Sequence, residues 1–164
     1  MDNNNASKLV LLGLGNLLLS DEGLGIRALE LLRERYLLPE STEWVDGGVL
    51  GMSLLAYLEG TTHLLVTDAV QTGCEPGTLV RFVGEEIPAG LSLNLSMHQI
   101  GFRELMAICQ LRGSEPRHIA VHGIEPSTLE SGVTLSGLVE SKLEQLLEAV
   151  VEELRRWGFQ VSAR

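Results

Sequence analysis

The sequence predicts a three-layer α/β/α domain built on a twisted, mostly parallel sheet of about five strands. Two observations lead to this fold class. Short apolar runs alternate along the chain with longer segments in which apolar residues recur at helical spacing. The apolar runs are also continuous rather than interrupted by polar residues, which is typical of strands covered by helices on both faces of a sheet.

The predicted elements follow one another in a regular order, and turn residues separate most of them. They are a strand over 8–12, a helix over 22–36, a strand over 44–45, a helix over 52–58, a strand over 63–67, a strand over 78–83, a helix over 96–111, a strand over 118–121 and a helix over 135–157. Residues 1–7 are polar and predict a frayed terminus. Residues 8–164 contain no internal linker or repeat, so we expect a single domain.

Local signals set the bounds of these elements. The first strand runs into the glycine loop at 13–16, and Pro39 follows the first helix as a stop signal. The turn Asp46-Gly47-Gly48 closes the second strand. Ser96 with Gln99 three residues later fits a capping box at the start of a helix. The last helix carries one apolar stripe at i, i+3, i+4 spacing with glutamates beside it, which predicts a helix packed on the domain.

Composition narrows the possible classes of function. Twelve Lys and Arg against 22 Asp and Glu give a formal net charge of −10, which argues against nucleic acid or an anionic membrane surface as the partner. Cys74 and Cys109 form no CxxC arrangement, so a disulfide framework and a cysteine zinc site are both disfavoured. No apolar run approaches the ~20 residues of a membrane-spanning helix, and residues 9–19 lack the flanks of a signal peptide. We therefore expect a cytoplasmic protein.

Polar side chains gather where the predicted strands end. The carboxyl ends of parallel strands share one edge of the sheet, and ligands bind at that edge in open α/β folds. Glu22 follows the first strand, Asp46 the second and Asp68 the third, while His98 begins a helix that is expected to face the same edge. His122 lies near the end of the last strand.

Glu22, Asp68 and His98 together offer two oxygens and one nitrogen. Such a set leaves coordination positions open on a divalent ion, as metal-assisted hydrolysis requires. A conventional zincin is excluded because the sequence contains no HExxH. Two of the three have a simpler interpretation, since Glu22 suits a first helical turn and His98 can lie on the surface. Asp68 is harder to dismiss, because a carboxylate that leaves a buried strand needs a partner or a function.

Further residues have alternative interpretations. Asp46 before two glycines is typical of a turn. His63 and His118 begin their strands at the opposite edge, where we expect structural roles. Cys109 lies on an apolar helical stripe and is most simply a core residue.

The sequence also allows two other functions, a dinucleotide-binding protein and a cysteine hydrolase. Gly13 and Gly15 begin a dinucleotide-binding fingerprint in which Asp46 would bind the ribose, but Leu18 occupies the position of the third glycine. A cysteine hydrolase based on Cys74 is weaker still, because no histidine lies near Cys74 in sequence.

Five segments of the chain resemble the hydrogenase maturation proteases. In order they are GLGNLLLSDEGLG (13–25), DGG (46–48), TDA (67–69), MHQIG (97–101) and GIEP (123–126). Proteins of this family are endopeptidases that trim the C-terminal extension from the large subunit of nickel–iron hydrogenases. The resemblance covers residues 8–157, and the combination of motifs is specific where no single motif would be.

The resemblance implies a site as well as a fold. It implies an α/β/α domain in which Glu22, Asp68 and His98 contact the metal and serve the catalytic reaction. The resemblance further implies that this metal is the nickel already inserted in the substrate. No permanently bound cofactor is therefore expected, although a divalent metal can occupy the same three residues. The segment Asp46-Gly47-Gly48 is implied to recognise the nickel-loaded substrate. The chain departs from many relatives at Val49, where they have Thr, and from some at His122, where they are aliphatic. His122 is either an additional ligand or a hydrogen-bonded strand residue.

Our leading hypothesis is an endopeptidase, of aspartyl or metal-assisted type, that makes one cut near the C-terminus of a hydrogenase large-subunit precursor. The alternative is a non-catalytic assembly chaperone that senses the nickel state of the same large subunit through the same three residues. Under either hypothesis the partner is a protein rather than nucleic acid or a membrane. We expect a monomer, because no exposed apolar face stands out in the sequence.

Overall fold

We describe the protein from a computed structural model that covers residues 7–48, 53–87 and 102–164. Four α-helices and seven strands lie in these ranges. The helices are Leu24–Arg35 (α1), Leu54–Leu58 (α2), Phe102–Leu111 (α3) and Gly137–Arg156 (α4). The strands are Leu9–Gly13 (β1), Tyr36–Leu37 (β2), Glu43–Asp46 (β3), His63–Ala69 (β4), Leu79–Val83 (β5), His118–Ile124 (β6) and Ser162–Ala163 (β7).

Five strands form the central sheet in the order β3-β1-β4-β6-β5. The first four are parallel to one another, and β5 alone runs antiparallel, along β6. The predicted mostly parallel sheet of about five strands is therefore confirmed. A separate two-stranded sheet joins β2 to β7. These two strands were not predicted from the sequence, because each has only two residues and no local pattern identifies it.

Helices cover both faces of the central sheet, as the continuous apolar strands predict. On one face, β1 and β4 pack through Leu11 and Leu65 against the buried residues of α1 and α4. On the other face, the same strands pack through Leu12 and Val66 against α2 and α3. Cys109 of α3 is buried in this second cluster, so its predicted core position is confirmed.

The amino edge of the sheet carries an aromatic cluster. His63 and His118 are register partners at the starts of β4 and β6, and their rings stack with centroids 4.5 Å apart. Trp157 and Phe159 lie 5.3 and 5.0 Å from the His63 ring. Burial and the nearby His118 lower the pKa of His63. Both histidines thus pack at the edge opposite the candidate site, as expected of structural residues.

Several predicted bounds were wrong, and two of them concern residues of the predicted site. Asp68 was expected to follow its strand, but β4 continues to Ala69, because β6 pairs with it as far as Ile124. The helix expected from residue 22 begins instead as a 3-10 turn, Ser20–Gly23, which continues into α1 at Leu24. Glu22 therefore lies on a turn before the helix proper.

Several predictions fall outside the described residues. These are the frayed terminus apart from Ser7, the capping box of Ser96 and Gln99, His98, and the departure at Val49. Within the ranges that the structure covers, no helix is long and apolar enough to cross a membrane.

Candidate functional site

Strand register brings several of the predicted residues to the carboxyl edge of the sheet. Gly13, at the end of β1, is the register partner of Asp46 on one side and of Thr67 on the other. Thr67 is in turn the partner of His122. Asp68 lies one residue further along β4, so its side chain points to the opposite face of the sheet from those of Thr67 and His122.

Glu22 is held at this edge by the backbone of the glycine loop. The N–H of Asn16 donates a hydrogen bond of 3.0 Å to the carbonyl of Glu22, and the N–H of Glu22 donates to the carbonyl of Leu19 at 3.1 Å. Gly15 has a φ of +131°, and a Cβ there would lie 1.7 Å from the Glu22 carbonyl oxygen. Only glycine fits this position, so the loop places the Glu22 backbone directly against the end of β1.

The start of α1 is pressed onto the same edge. A Cβ on Gly25 would lie 2.1 Å from the Thr67 carbonyl oxygen and 2.2 Å from that of Leu14. The Thr67 hydroxyl donates a hydrogen bond of 2.8 Å to the Gly25 carbonyl. This close approach of helix to sheet brings the turn that carries Glu22 alongside the end of β4.

Asp68 is fully buried at 0 % exposure, and neither of its carboxylate oxygens has a hydrogen-bond partner in the described structure. Burial raises the pKa of Asp68 well above its usual value. The Ala69 amide acts in the opposite direction but makes no hydrogen bond of ordinary geometry, and the nearby charge of Glu22 raises the pKa further. A buried, unpaired carboxyl group beside a second one is costly unless a cation or a proton compensates it.

The structure therefore brings two of the three predicted metal-contacting residues together. Glu22 and Asp68 interact electrostatically at the carboxyl edge. The third, His98, lies outside the described residues. Among the residues that are described, no group of three or more His, Cys, Asp or Glu side chains could hold a metal ion. What the described pair offers is carboxylate oxygens, which hard and borderline divalent cations accept as ligands.

The segment Asp46-Gly47-Gly48 forms a tight turn beside the glycine loop. Asp46 is exposed, and its Oδ1 accepts a hydrogen bond of 3.0 Å from the Gly48 N–H. The Gly47 N–H donates to the Gly13 carbonyl at 2.8 Å, and a Cβ on Gly48 would lie 2.7 Å from the Gly15 carbonyl oxygen. Asp46 thus has the contacts of a turn residue, and its turn packs on the loop that holds Glu22.

His122 does not join Asp68. Its Nε2 lies 3.0 Å from Oε2 of Glu153, on α4, at the other face of the sheet. Burial lowers the pKa of His122, although its hydrogen bond with Glu153 acts in the opposite direction. Arg81 of β5 also binds Glu153, at 2.6 Å. Of the two interpretations of His122, the hydrogen-bonded strand residue is the one that the structure supports.

Sequence reasoning missed Asp21. Its side chain is fully buried and accepts four hydrogen bonds from residues more than one hundred positions away. The donors are the N–H groups of Ser127, Thr128 and Ser136 and the hydroxyl of Ser136. One local signal was present: Ser136 precedes the C-terminal helix as an N-cap, and it accepts from the Val139 N–H at 3.3 Å.

Glu125 was also missed, although it belongs to the GIEP motif. It is mostly buried just after β6, and its Oε2 accepts hydrogen bonds of 2.7 Å from both the N–H and the hydroxyl of Thr72. The pairing fixes the loop that follows β4 to the loop that follows β6. Exposed Cys74 lies on this β4 loop.

Solved structures that share this architecture define the class of protein as an endopeptidase. The hydrogenase maturating endopeptidase HybD from Escherichia coli matches with a TM-score of 0.88 at 35% identity, covering 96% of this chain and 98% of that one. A hydrogenase 2 maturation peptidase from the Thaumarchaeota archaeon SCGC_AB-539-E09 matches with a TM-score of 0.69 at 25% identity, covering 90% of this chain and 98% of that one.

Sequence comparisons identify the family. The family model described as HycI, hydrogenase maturation protease, matches residues 26–153. The hydrogenase 2 maturation protease of Escherichia coli (strain K12) is 35% identical over 158 residues, which are 96% of each chain. The hydrogenase expression/formation protein HupD of Rhodobacter capsulatus is 38% identical over 157 residues, 94% of this chain and 75% of that one. The chain belongs to the hydrogenase maturation protease family, and it is a peptidase.

Proposed function

We propose that this protein is the endopeptidase that removes the C-terminal extension of a nickel–iron hydrogenase large subunit after nickel insertion, and that it recognises the nickel bound in that substrate. Family membership and the names of the relatives support the processing of a hydrogenase subunit. One observation carries the proposed recognition of nickel: Asp68 is a fully buried carboxyl group with no hydrogen-bond partner in the described structure, and it lies beside Glu22.

The electrostatics of this pair favour the arrival of a cation. In the free enzyme, burial and the charge of Glu22 both disfavour an ionised Asp68. A divalent ion carried by the substrate would reverse that preference, because an opposite charge within a few ångströms stabilises the carboxylate. The site would thus gain most from a substrate that brings its own metal, which is how a nickel-free precursor would be rejected.

The proposed mechanism is recognition by coordination. Glu22 and Asp68, together with His98, would contact the substrate's nickel and hold the scissile peptide bond beside it. Fixing the bond and a water molecule in one orientation removes much of the entropic barrier to hydrolysis, and the metal adds Lewis-acid assistance. The turn Asp46-Gly47-Gly48, which packs on the glycine loop, would line the approach of the substrate.

We also propose a compartment, an oligomeric state and a cofactor requirement for the enzyme. It acts in the cytoplasm as a monomer on a large-subunit precursor, with no permanently bound cofactor of its own. A divalent metal added in excess would occupy the Glu22, Asp68 and His98 site and compete with the substrate's nickel.

An intact-mass assay on a nickel-loaded, unprocessed large subunit tests the proposal. We expect the wild-type enzyme to release one C-terminal peptide, and only when nickel is present. The Asp68→Asn variant should bind and cleave at least about 100-fold less, since it removes a ligand that the reaction requires. Glu153→Gln, which changes a buried carboxylate of the opposite face, is the matched control and should cleave normally.

Each other outcome of this assay has a definite meaning. Cleavage and binding by Asp68→Asn at the wild-type rate would refute recognition through the Asp68 carboxylate. Cleavage of the nickel-free precursor would refute nickel gating. A stable complex whose mass never changes would overturn the peptidase proposal in favour of the non-catalytic assembly chaperone.

A further inference from the structure

The turn that carries Glu22 is fixed by the residue before it. Asp21 is buried at 0 % exposure, and its Oδ2 accepts hydrogen bonds from the Ser127 N–H at 2.9 Å, the Thr128 N–H at 3.0 Å and the Ser136 hydroxyl at 2.8 Å. Its Oδ1 accepts a fourth, of 2.7 Å, from the Ser136 N–H. Hydrogen bonds to a buried carboxylate are among the strongest in proteins, so this is a rigid attachment.

Main-chain hydrogen bonds extend the same attachment. The Ser20 N–H donates to the Gly132 carbonyl at 2.9 Å, and the Gly132 N–H donates to the Leu18 carbonyl at 2.9 Å. The Asp21 N–H donates to the Thr128 carbonyl at 3.3 Å. The 3-10 turn is thus joined to the segment 127–136, which we call the clamp segment.

Glu22 follows Asp21 in the 3-10 turn and lies between the glycine loop and the start of α1 in the chain. Its carbonyl accepts a hydrogen bond from the Asn16 N–H of the glycine loop, and its N–H donates to the carbonyl of Leu19. Those bonds hold the Glu22 backbone against the glycine loop, and the packing of Gly25 on Thr67 places the end of the turn beside β4. The long-range bonds of Asp21 add a further attachment, which ties the turn to the connection between β6 and α4.

We propose that Asp21 is a positioning residue for the peptidase reaction, which holds the Glu22 side chain at its working distance from Asp68 by anchoring the turn to the clamp segment. The inference rests on the proposed function, since Glu22 must act in cleavage for its placement to matter. Asp21 itself is enclosed by protein donors, so it acts through Glu22 rather than on the substrate.

The Asp21→Asn substitution disturbs this arrangement with almost no change in volume. All four groups that surround the carboxylate donate hydrogen bonds. An asparagine amide must turn its NH₂ group toward at least one of them, so one donor loses its acceptor and faces another donor. A misplacement of about 1 Å at a reacting group can reduce a rate by roughly 100-fold. We therefore expect single-turnover cleavage by Asp21→Asn to be about 10- to 100-fold slower.

A double-mutant cycle separates positioning from general destabilisation. The single-turnover cleavage rate is measured at saturating substrate for the wild type, Asp21→Asn, Glu22→Gln and the double variant. If Asp21 acts through Glu22, Asp21→Asn will slow the wild type but will not slow the Glu22→Gln enzyme further. Independent effects that multiply would overturn the proposal, because a merely structural residue would slow both backgrounds equally.

Two further variants keep the test valid if Asp21→Asn is poorly folded. Ser136→Ala removes one donor to Asp21 and leaves the backbone donors in place, so we expect a smaller loss of rate, about 2- to 10-fold. Glu153→Gln lowers stability where α4 packs on His122, and Glu153 makes no hydrogen bond to the turn in the described structure. The cleavage rate of this variant should equal that of the wild type. A loss of rate in Glu153→Gln equal to that in Ser136→Ala would refute a specific positioning role.

Hydrogen–deuterium exchange gives a readout that does not depend on cleavage. In Asp21→Asn, amide exchange should become faster in residues 18–22 and in the clamp segment, while β4 stays as protected as in the wild type. Faster exchange with an unchanged cleavage rate would refute positioning and leave the proposed function standing. Full activity of Glu22→Gln, by contrast, would refute the role of Glu22 in the proposed function itself.

Discussion

The burial of Asp68 predicts that the enzyme becomes more stable when this residue loses its charge. The Asp68→Asn variant should unfold at a higher temperature than the wild type at pH 7, although it should lose its proposed activity. The reason is that both oxygens of the wild-type side chain are buried without a partner in the described structure. Functional sites commonly carry such a cost in stability.

The size of the effect follows from the chemistry of the side chain. Each unit by which burial raises the pKa of a carboxyl group is worth about 1.4 kcal/mol once the pH is above both pKa values. Asparagine avoids this ionisation penalty but still buries polar atoms, so only part of the cost is recovered. We expect a gain of about 1–3 kcal/mol at pH 7, or about 3–9 °C in Tm for a chain of this length.

The gain should depend on pH in a definite direction. The pKa of Asp68 is raised in the folded protein, so between the unfolded value near 4 and the folded value the native state binds more protons than the unfolded state. Below about pH 4 the ionisation of Asp68 therefore costs the wild type no stability, and above that pH the stability falls as the pH rises. The advantage of Asp68→Asn should be small at pH 4 and should grow as the pH rises from 4 to the raised pKa of the folded state.

Thermal and urea unfolding followed by circular dichroism at pH 4, 5, 6 and 7 measure this difference. Asp21→Asn is the matched control, because Asp21 is an equally buried aspartate whose oxygens accept four hydrogen bonds. It should lose about 1.5–3 kcal/mol of stability at pH 7 rather than gain any. The reasoning fails if Asp68→Asn is no more stable than the wild type at pH 7, or if its gain is the same at every pH.

Three further predictions concern other parts of the chain. Gly15→Ala should unfold more than about 2 kcal/mol more easily and lose cleavage, since its Cβ would meet the Glu22 carbonyl at 1.7 Å; urea unfolding and the mass assay check both, and wild-type behaviour would contradict the tight loop. Burial raises the pKa of Glu153, but hydrogen bonds from Arg81 and His122 outweigh it and the net pKa is lowered. The stabilisation that Glu153→Gln removes is thus present above about pH 4.5 and lost in more acidic solution, and we expect about 1–2 kcal/mol at pH 7 because Arg81 is partly exposed; an equal deficit at pH 3.5 would contradict this. A thiol reagent at pH 8 should label Cys74 and spare Cys109, whose thiol pKa is raised by burial; mass analysis showing two labels on the native chain would be the contrary result.

The parallel core of the fold could be predicted because its signals are local. The apolar run before Gly13 and the one before Asp68 each identify a strand buried on both faces, and the stripe along α4 identifies its packed side. The direction of β5 could not be predicted in the same way, because its alternation shows partial exposure but not orientation. The extension of β4 to Ala69 depends on pairing with β6, which no local pattern encodes.

The candidate site likewise contains some residues that local sequence signals could predict and others that depend on long-range contacts. Glu22 and Asp68 could be singled out because each follows an apolar run, and polar residues at strand ends converge in a parallel sheet. Asp21 could not, because the meaning of its side chain comes from donors at 127–136. The pairing of His122 with Glu153 is equally non-local, since it joins a strand to a helix 31 residues later.

The attachment of Asp21 also bears on the order in which the enzyme acquires activity. Glu22 lies within the first 25 residues, yet the donors that fix its turn are more than one hundred residues further along the chain. Closing so long a loop costs more conformational entropy than forming a local helix or turn, and it is therefore slower. During synthesis the turn can form early, but it can reach its final place only after β6 and the start of α4 have been made. If Glu22 acts in cleavage as proposed, the nascent chain would therefore remain inactive until β6 and the start of α4 have folded.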